Sequence, residues 1–271
     1  MEEVISSKSY RSYTFSEGGF SQVTAELLVE APLEIIINGQ ASVLIMFTPR
    51  NIMELVVGFV FTEGIINRFS DIEKCTINPV RKPDGEEIIE ARVDIASSQA
   101  SNLAVKGKRV SYSSCGVCGK EGYLDLKSGM PRVMSKRRFS MDVLMGIPSR
   151  MRGFQPLYNK TGAAHAAMLF ESDGTPIVQC EDMGRHNALD KVIGTTLING
   201  TLPDDKIVFS SGRASLEMII KTARAGFPVF VAKSRPTSKA VEAAKYYNIT
   251  LLDLAKNTNR VYSHARRIKG F

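Results

Sequence analysis

The sequence predicts an α/β protein in two parts, a β-rich amino-terminal half and a carboxy-terminal half in which strands and helices alternate. Three observations carry this. Asn38-Gly39 separates two apolar runs, Leu33 to Ile37 and Ala41 to Phe47, and Asn-Gly between such runs is a strong hairpin signal because both residues accept positive φ. From Pro176 to Leu254 short apolar runs alternate with helix-spaced segments, in units of about 20 residues, the rhythm of a sheet with mostly parallel neighbours. Between the halves lies a glycine-rich stretch holding Cys115 and Cys118.

In chain order, residues 1 to about 20 are polar and read as mobile, and Gln22 to Glu30 as a strand. After the hairpin, Thr48-Pro49 reads as the N-cap and first position of a helix whose apolar face is Leu55, Val56, Phe59 and Val60. Strands follow near Cys75 to Val80 and Ile88 to Ala96, joined by the turn Arg81 to Gly85. A loop then carries the cysteines among Gly107, Gly116, Gly119 and Gly122, and the basic run Lys136-Arg137-Arg138 precedes a helix beginning near Ser140. Strands are expected at Pro176 to Cys180, Lys206 to Phe209, Phe227 to Ala232 and Ile249 to Leu254. Helices are expected at Asn187 to Ile198, Ser215 to Ala225 and Lys239 to Tyr247. The division falls into residues 1–138, a β-rich domain ending in the cysteine loop, and 139–271, an α/β domain.

With 271 residues, 44% of them apolar, the chain can bury a substantial core. The start Met1-Glu2-Glu3-Val4 has no apolar h-region, and no apolar run is long enough to span a bilayer. A cytoplasmic protein with no membrane partner is expected. A net charge of +7 suits an anionic partner, yet no basic helix or aromatic stacking motif supports a nucleic acid.

Four cysteines in a chain of this length do not form a disulfide framework. Cys115 and Cys118, spaced C-x-x-C, admit three chemistries. Zinc would need two further ligands, and Cys75, Cys180, His165, His186 and His264 include no second close pair. A thioredoxin-type dithiol would sit where a strand runs into a helix, and this pair sits among glycines. In sulfur transfer, a thiolate attacks the terminal sulfur of a donor persulfide. Arg109 and Lys120 nearby favour a thiolate, and small neighbours leave it accessible. Cys75 and Cys180 lie in apolar, strand-like contexts and read as core residues.

Three strand-to-helix turns share a composition: Gly184-Arg185-His186-Asn187, Ser211-Gly212-Arg213-Ala214-Ser215 and Ser234-Arg235-Pro236-Thr237-Ser238. Such turns lie on one edge of a parallel sheet, where open α/β folds bind ligands. Arginines at helix N-termini there suit a phosphate. Arg185, Arg213 and Arg235, with Ser215 and Thr237, are the candidate contacts, although each turn taken alone also reads as an ordinary cap. His165, among Gly162, Ala163, Ala164, Ala166 and Ala167, has room for a ligand beside it, and His186 lies in the polar run Glu181 to Asn187. Zinc deaminases carry a glutamate two residues after the histidine; here that position is Ala167.

Taken together, Ser114-Cys115-Gly116-Val117-Cys118-Gly119, Thr161-Gly162 with His165-Ala166-Ala167, Glu181-Asp182-Met183-Gly184-Arg185-His186-Asn187-Ala188-Leu189-Asp190-Lys191, Ser211-Gly212-Arg213-Ala214-Ser215 and Pro236-Thr237-Ser238 resemble the FdhD family of formate dehydrogenase accessory sulfurtransferases. Ala31-Pro32-Leu33-Glu34 and Gly58-Phe59 through Glu63-Gly64 extend the likeness into the first half. The resemblance implies a cytidine deaminase-like carboxy-terminal domain without deaminase activity, and a homodimer. It implies a sulfurtransferase with Cys115 as persulfide carrier and Cys118 assisting or resolving. Sulfur would pass from a cysteine desulfurase to the molybdenum bis(molybdopterin guanine dinucleotide) cofactor of formate dehydrogenase, held as a bound acceptor, with no resident metal. Cofactor contact is implied at Leu254, Ala255, Lys256, Asn257, Thr258 and Asn259, where the family often carries Phe-x-Arg-Gly-x-Arg and this chain keeps only one charge, Lys256. A competing reading is a non-catalytic chaperone of the dehydrogenase that binds zinc or a nucleotide.

Overall fold

The computed structural model describes residues 5–96, 109–111, 130, 132–255 and 258–271. The chain opens on a ribbon, β1 (Ser7–Ser16) antiparallel to β2 (Gly19–Leu28), with Ser7 opposite Leu28 and Ser16 opposite Gly19. The sequence places the first strand near Gln22 and only a polar, mobile segment before it; the structure adds a strand there, β1. Tyr10, Tyr13, Thr14 and Phe15 favour extended backbone, but β1 is exposed along almost its whole length and shows no apolar alternation to read, whereas β2, part-buried at Val23, Ala25 and Leu28, is the strand expected from Gln22.

A five-stranded sheet follows, in the order β5 (Ile72–Arg81), β6 (Glu87–Ile95), β3 (Ala31–Ile37), β4 (Ala41–Phe47), β7 (Arg109–Ser111). The β3–β4 hairpin turns at Asn38 and Gly39, with φ of 49° and 65°, the two positive values that a tight hairpin turn of this hand requires. Leu33, Ile35 and Ile37 on β3 are fully buried, the period-two signature of a strand with one face in the core. Helix α1 spans Ile52–Thr62. It starts three residues later than the Thr48-Pro49 signal implies, with Asn51 in the left-handed region as N-cap. Thr48 is committed elsewhere: its N–H donates to Asp182 Oδ2 at 3.0 Å and its hydroxyl oxygen accepts from Met183 N–H at 3.1 Å.

The second sheet has six strands, ordered β13 (Thr258–Val261), β12 (Thr250–Ala255), β11 (Val229–Ser234), β10 (Ile207–Arg213), β8 (His165–Phe170), β9 (Pro176–Asp182). Only the pairs β10–β11 and β11–β12 are parallel; β8 is antiparallel to both β9 and β10, and β13 to β12. The expectation of mostly parallel pairing is corrected. The short connection from β8 to β9, closed by Glu171 N–H to Thr175 O at 2.9 Å, is too short for a crossover and forces an antiparallel pair. Strand β8 begins His165-Ala166-Ala167, poor β-formers, and is legible only from its burial.

The helices are α2 (Met141–Met151), α3 (Pro156–Thr161), α4 (Arg185–Ile198), α5 (Leu216–Arg224) and α6 (Ser238–Tyr247). Alternate residues of the second sheet serve two cores. Leu169, Val208, Phe230 and Leu251 pack on the side of α4, α5 and α6, in one continuous core with Leu33 and Ile35 of the first sheet. Met168, Phe170, Phe209 and Val231 pack with Leu144 and Ile147 of α2.

The halves meet where α1 crosses α4. A Cβ on Gly58 would fall 1.8 Å from Asp190 O, and one on Gly194 would fall 1.9 Å from Glu54 O, so only glycine permits this approach. Beside the crossing, Lys221 Nζ donates to Asp190 Oδ2 at 2.8 Å and to Thr62 Oγ1 at 2.8 Å, and Thr62 Oγ1 donates to Asp190 Oδ1 at 2.9 Å.

Candidate functional site

Because β8 is antiparallel to both β9 and β10, strand β9 runs in the direction of β10 and β11. The turns into α4, α5 and α6 therefore open on one edge of the sheet. A cavity of about 640 Å³ lies on this edge, lined by His165, Ser211, Lys233, Ser234, Arg235, Leu254 and Ala255, and by Gln155 and Tyr158 beside α3.

His165 stands at the start of β8. Its Nδ1 lies 3.2 Å from Ser211 Oγ, which also accepts the Ala166 N–H at 2.9 Å. Burial first, then the Arg185 cation and His186, hold His165 below its ordinary value of 6.5, so the ring is neutral at physiological pH. Arg185 reaches this edge by running over Gly212, where a Cβ would meet Arg185 Cδ at 2.7 Å.

The other residues expected at the turns divide by task. Ser215 is the N-cap of α5, its Oγ accepting from Met218 N–H at 3.4 Å, and Thr237 is the N-cap of α6, its Oγ1 accepting from Ala240 N–H at 3.2 Å. His186 Nε2 lies 3.2 Å from Ser215 Oγ and 3.1 Å from Glu217 Oε2. Arg213 is exposed at the end of β10. Of the residues expected to contact a cofactor, His165, Arg235, Leu254 and Ala255 line the cavity, whereas Arg185, His186, Arg213, Ser215 and Thr237 do not. Thr258 and Asn259 open β13 opposite Ala255 and Leu254. Lys256 and Asn257, with Cys115 and Cys118, lie outside the described residues.

Sequence reasoning passed over Lys233, Ser211 and Tyr158 as cavity residues. Lys233 had a signal, since Lys233 and Arg235 alternate at the end of β11 and so share a side of the strand. Tyr158 had none, because the helix that carries it was not expected.

The run Glu181 to Lys191 holds structure more than it lines the cavity. Glu181 accepts the N–H groups of Leu157 at 2.9 Å and Tyr158 at 2.8 Å, a carboxylate stopping the start of α3. Asp182 accepts from Thr48 N–H, from Gly184 N–H at 2.9 Å, from Asn187 Nδ2 at 2.9 Å and from Lys191 Nζ at 2.7 Å. Asn187 Nδ2 also donates to Met46 O at 2.9 Å and Lys191 Nζ to Thr48 O at 3.0 Å. The run thus clamps β4 to the second sheet.

The described cysteines are not nucleophiles. Burial raises the thiols of Cys75 and Cys180 each to about 11, and a thiol near 11 holds little thiolate at neutral pH.

Residues 28–269 match the model of the FdhD/NarQ family. The chain is 34% identical to a protein of Thermoplasma acidophilum named sulfur carrier protein FdhD, covering 98% of this chain and 95% of that one. It is 38% identical to a protein of the same name from Mycolicibacterium paratuberculosis, over 89% of this chain and 91% of that one. For the Bacillus subtilis protein of that name the identity is 32%, over 95% of each chain. The fold is similar to the crystal structure of a protein described as a formate dehydrogenase accessory protein from Desulfotalea psychrophila. The TM-score is 0.73 and the identity 23%, over 97% of this chain and 99% of that one.

Proposed function

The chain belongs to the FdhD/NarQ family, and from that premise we propose that it is a sulfurtransferase serving formate dehydrogenase. It receives sulfur on Cys115 from a cysteine desulfurase and delivers it to molybdenum bis(molybdopterin guanine dinucleotide) held at the cavity. What carries the reading is likeness along 98% of the chain to a relative named as a sulfur carrier.

Chemically, the Cys115 thiolate attacks the terminal sulfur of the donor persulfide. The donor S–S bond breaks, the donor leaves as thiolate, and Cys115 keeps a persulfide. Once the acceptor is bound, attack of the Cys118 thiolate on Cys115 Sγ closes a Cys115–Cys118 disulfide and releases the terminal sulfur as hydrosulfide, so the two cysteines supply both electrons; without the acceptor the persulfide stays on Cys115. The high thiol values of Cys75 and Cys180 support assigning the chemistry to the other pair.

Lys233 and Arg235 supply cations for the phosphates of the bound acceptor. Leu254 and Ala255 form one lip, and neutral His165 offers a hydrogen bond without adding charge. The second sheet supports the cytidine deaminase-like reading: its strands β8 to β12 lie in the order second, first, third, fourth, fifth. The boundary at 138/139 rests on topology, since the strands of the first sheet come from residues 31–111 and those of the second from 165–261. A homodimer in the cytoplasm completes the proposal; no helix among the described residues is long and apolar enough to cross a membrane.

The test is intact mass after incubation with a cysteine desulfurase and cysteine. One added sulfur atom in the native chain, absent in Cys115→Ala, is the expected outcome. An unchanged mass in the native chain overturns the proposal. Zinc held in stoichiometric amount and lost on changing either cysteine would move the pair to the chaperone reading.

A further inference from the structure

We propose that the protein carries a second anion site, on the opposite edge of the six-stranded sheet from the cavity above, which takes the phosphate groups of a small phosphorylated ligand. A cleft of about 790 Å³ opens there between the segment leading into α2 and the corner that follows β13. Leu254 and Ala255, at one end of β12, line the first cavity. Thr250, at the other end of the same strand, touches the floor of this cleft through Arg267.

Buried cations decide the matter. Four lysines and arginines are buried among the described residues: Lys191, Lys206, Lys221 and Arg267. Lys191 pairs with Asp182, Lys206 with Glu171 and Asp205, and Lys221 with Asp190 and Glu63. Arg267, only 8% exposed, has no carboxylate within ion-pair distance among the described residues. Its Nη1 donates to Thr250 Oγ1 at 2.9 Å and its Nη2 to Ser135 O at 3.3 Å, both neutral acceptors. Burial alone pushes its guanidinium below the ordinary range, with no acidic group holding it up. A buried charge of this kind is costly until an anion joins it.

Above this floor stand Lys136, Arg137, Arg138 and Arg266, all exposed. None of them pairs with a carboxylate among the described residues either. Several arginines around one concavity match phosphate, because the planar guanidinium forms two parallel hydrogen bonds to it. The cleft has the size of a small-molecule pocket, which is about 300–1,000 Å³. Its walls are preset. Phe139 N–H donates to Arg267 O at 2.9 Å and Lys269 N–H to Phe139 O at 2.8 Å, which ties the two walls together. Thr250 Oγ1 donates to His264 O at 3.0 Å, and His264 Nε2 lies 3.0 Å from Lys245 O. His264 is held at φ 48°, a left-handed conformation that a non-glycine residue keeps only when its surroundings fix it.

Calorimetric titration of the full chain with pyrophosphate at low salt tests the site. Beside any binding at the first cavity, one saturable event that does not depend on Lys233 and Arg235 is expected. It should weaken by about tenfold or more in Lys136→Ala/Arg266→Ala, whose melting temperature should stay at the native value, and persist in Lys233→Ala/Arg235→Ala. Arg267→Gln should abolish the event if that variant folds; the exposed pair keeps the test decisive if it does not. No saturable binding overturns the proposal. So does binding lost with Lys233 and Arg235 instead, or binding of a short oligonucleotide without any binding of pyrophosphate.

Discussion

At the β9–α4 turn, Glu181, Asp182, Asn187, Asp190 and Lys191 are all buried, and each has hydrogen-bond partners within the protein. At the neighbouring end of β11, Lys233 and Arg235 stand exposed over a cavity of about 640 Å³. The two places are alike in sequence, short polar runs where a strand meets a helix, and opposite in use. The first run joins the halves of the molecule, and its charges are neutralised from within. The second leaves its charge exposed over the cavity. Polar density in a sequence therefore marks importance without distinguishing an assembly clamp from a binding surface; the distinction lies in where the hydrogen bonds end.

The comparison can be broken at its strongest point first. Gly58→Ala should place a methyl group 1.8 Å from Asp190 O and part α1 from α4. A loss of more than about 4 kcal/mol, or failure to fold, is expected by chemical denaturation. A variant of native stability would mean the halves are not locked at this crossing. Next, Asp190→Asn removes the nearer charge partner of buried Lys221 and leaves it only Glu63 at 3.5 Å, which should cost about 3 kcal/mol. A cost under about 1 kcal/mol would place the pair with ordinary surface bridges.

The cavity should answer in the other way. Lys233→Ala/Arg235→Ala should change stability by no more than about 0.5 kcal/mol per site, yet weaken binding of guanosine diphosphate by about tenfold or more. Equal affinity in the variant would remove these cations from the site.

The smallest effect is one of pH. Burial, Arg185 and His186 hold His165 below its ordinary 6.5, so the unfolded chain takes up the proton first as pH falls. His165 therefore contributes stability at and above pH 6.5 that is lost as pH drops from 6.5 toward its lower folded value. His165→Gln should lose less stability between neutral and mildly acidic pH than the native chain, as read by denaturation at each pH. A bound phosphate should raise the His165 titration in NMR. An identical pH profile in the variant, or an unmoved titration with nucleotide bound, contradicts the placement of this histidine.

Much of the fold was legible in local chemistry. Asn38-Gly39 set the hairpin, and the strand and helix alternation from Pro176 onward set the second sheet and the edge where its turns gather. What was missed shares a physical cause. Strand β1 is exposed along almost its whole length and shows no alternation, whereas its partner β2 was legible from Gln22 onward. Strand β8 begins with alanines, and its direction is set by a short turn rather than by propensity. Thr48 carries the pattern of a cap but is held by Asp182 and Met183 from 134 and 135 residues away, a partnership no local window contains. Of the residues expected to contact a cofactor, Arg235, His165, Leu254 and Ala255 line the cavity, and the Ser215 and Thr237 oxygens accept N–H groups of their own helices, the cap role each turn also suggested.

The central claim is that Cys115 carries sulfur while the described cysteines are structural. Incubating the native chain, Cys115→Ala and Cys75→Ala/Cys180→Ala with a cysteine desulfurase and cysteine, then weighing each intact, tests it most directly. The account predicts one added sulfur atom in the native chain and in the Cys75/Cys180 variant, and none in Cys115→Ala. Sulfur retained by Cys115→Ala, or lost with Cys75 and Cys180, would contradict it.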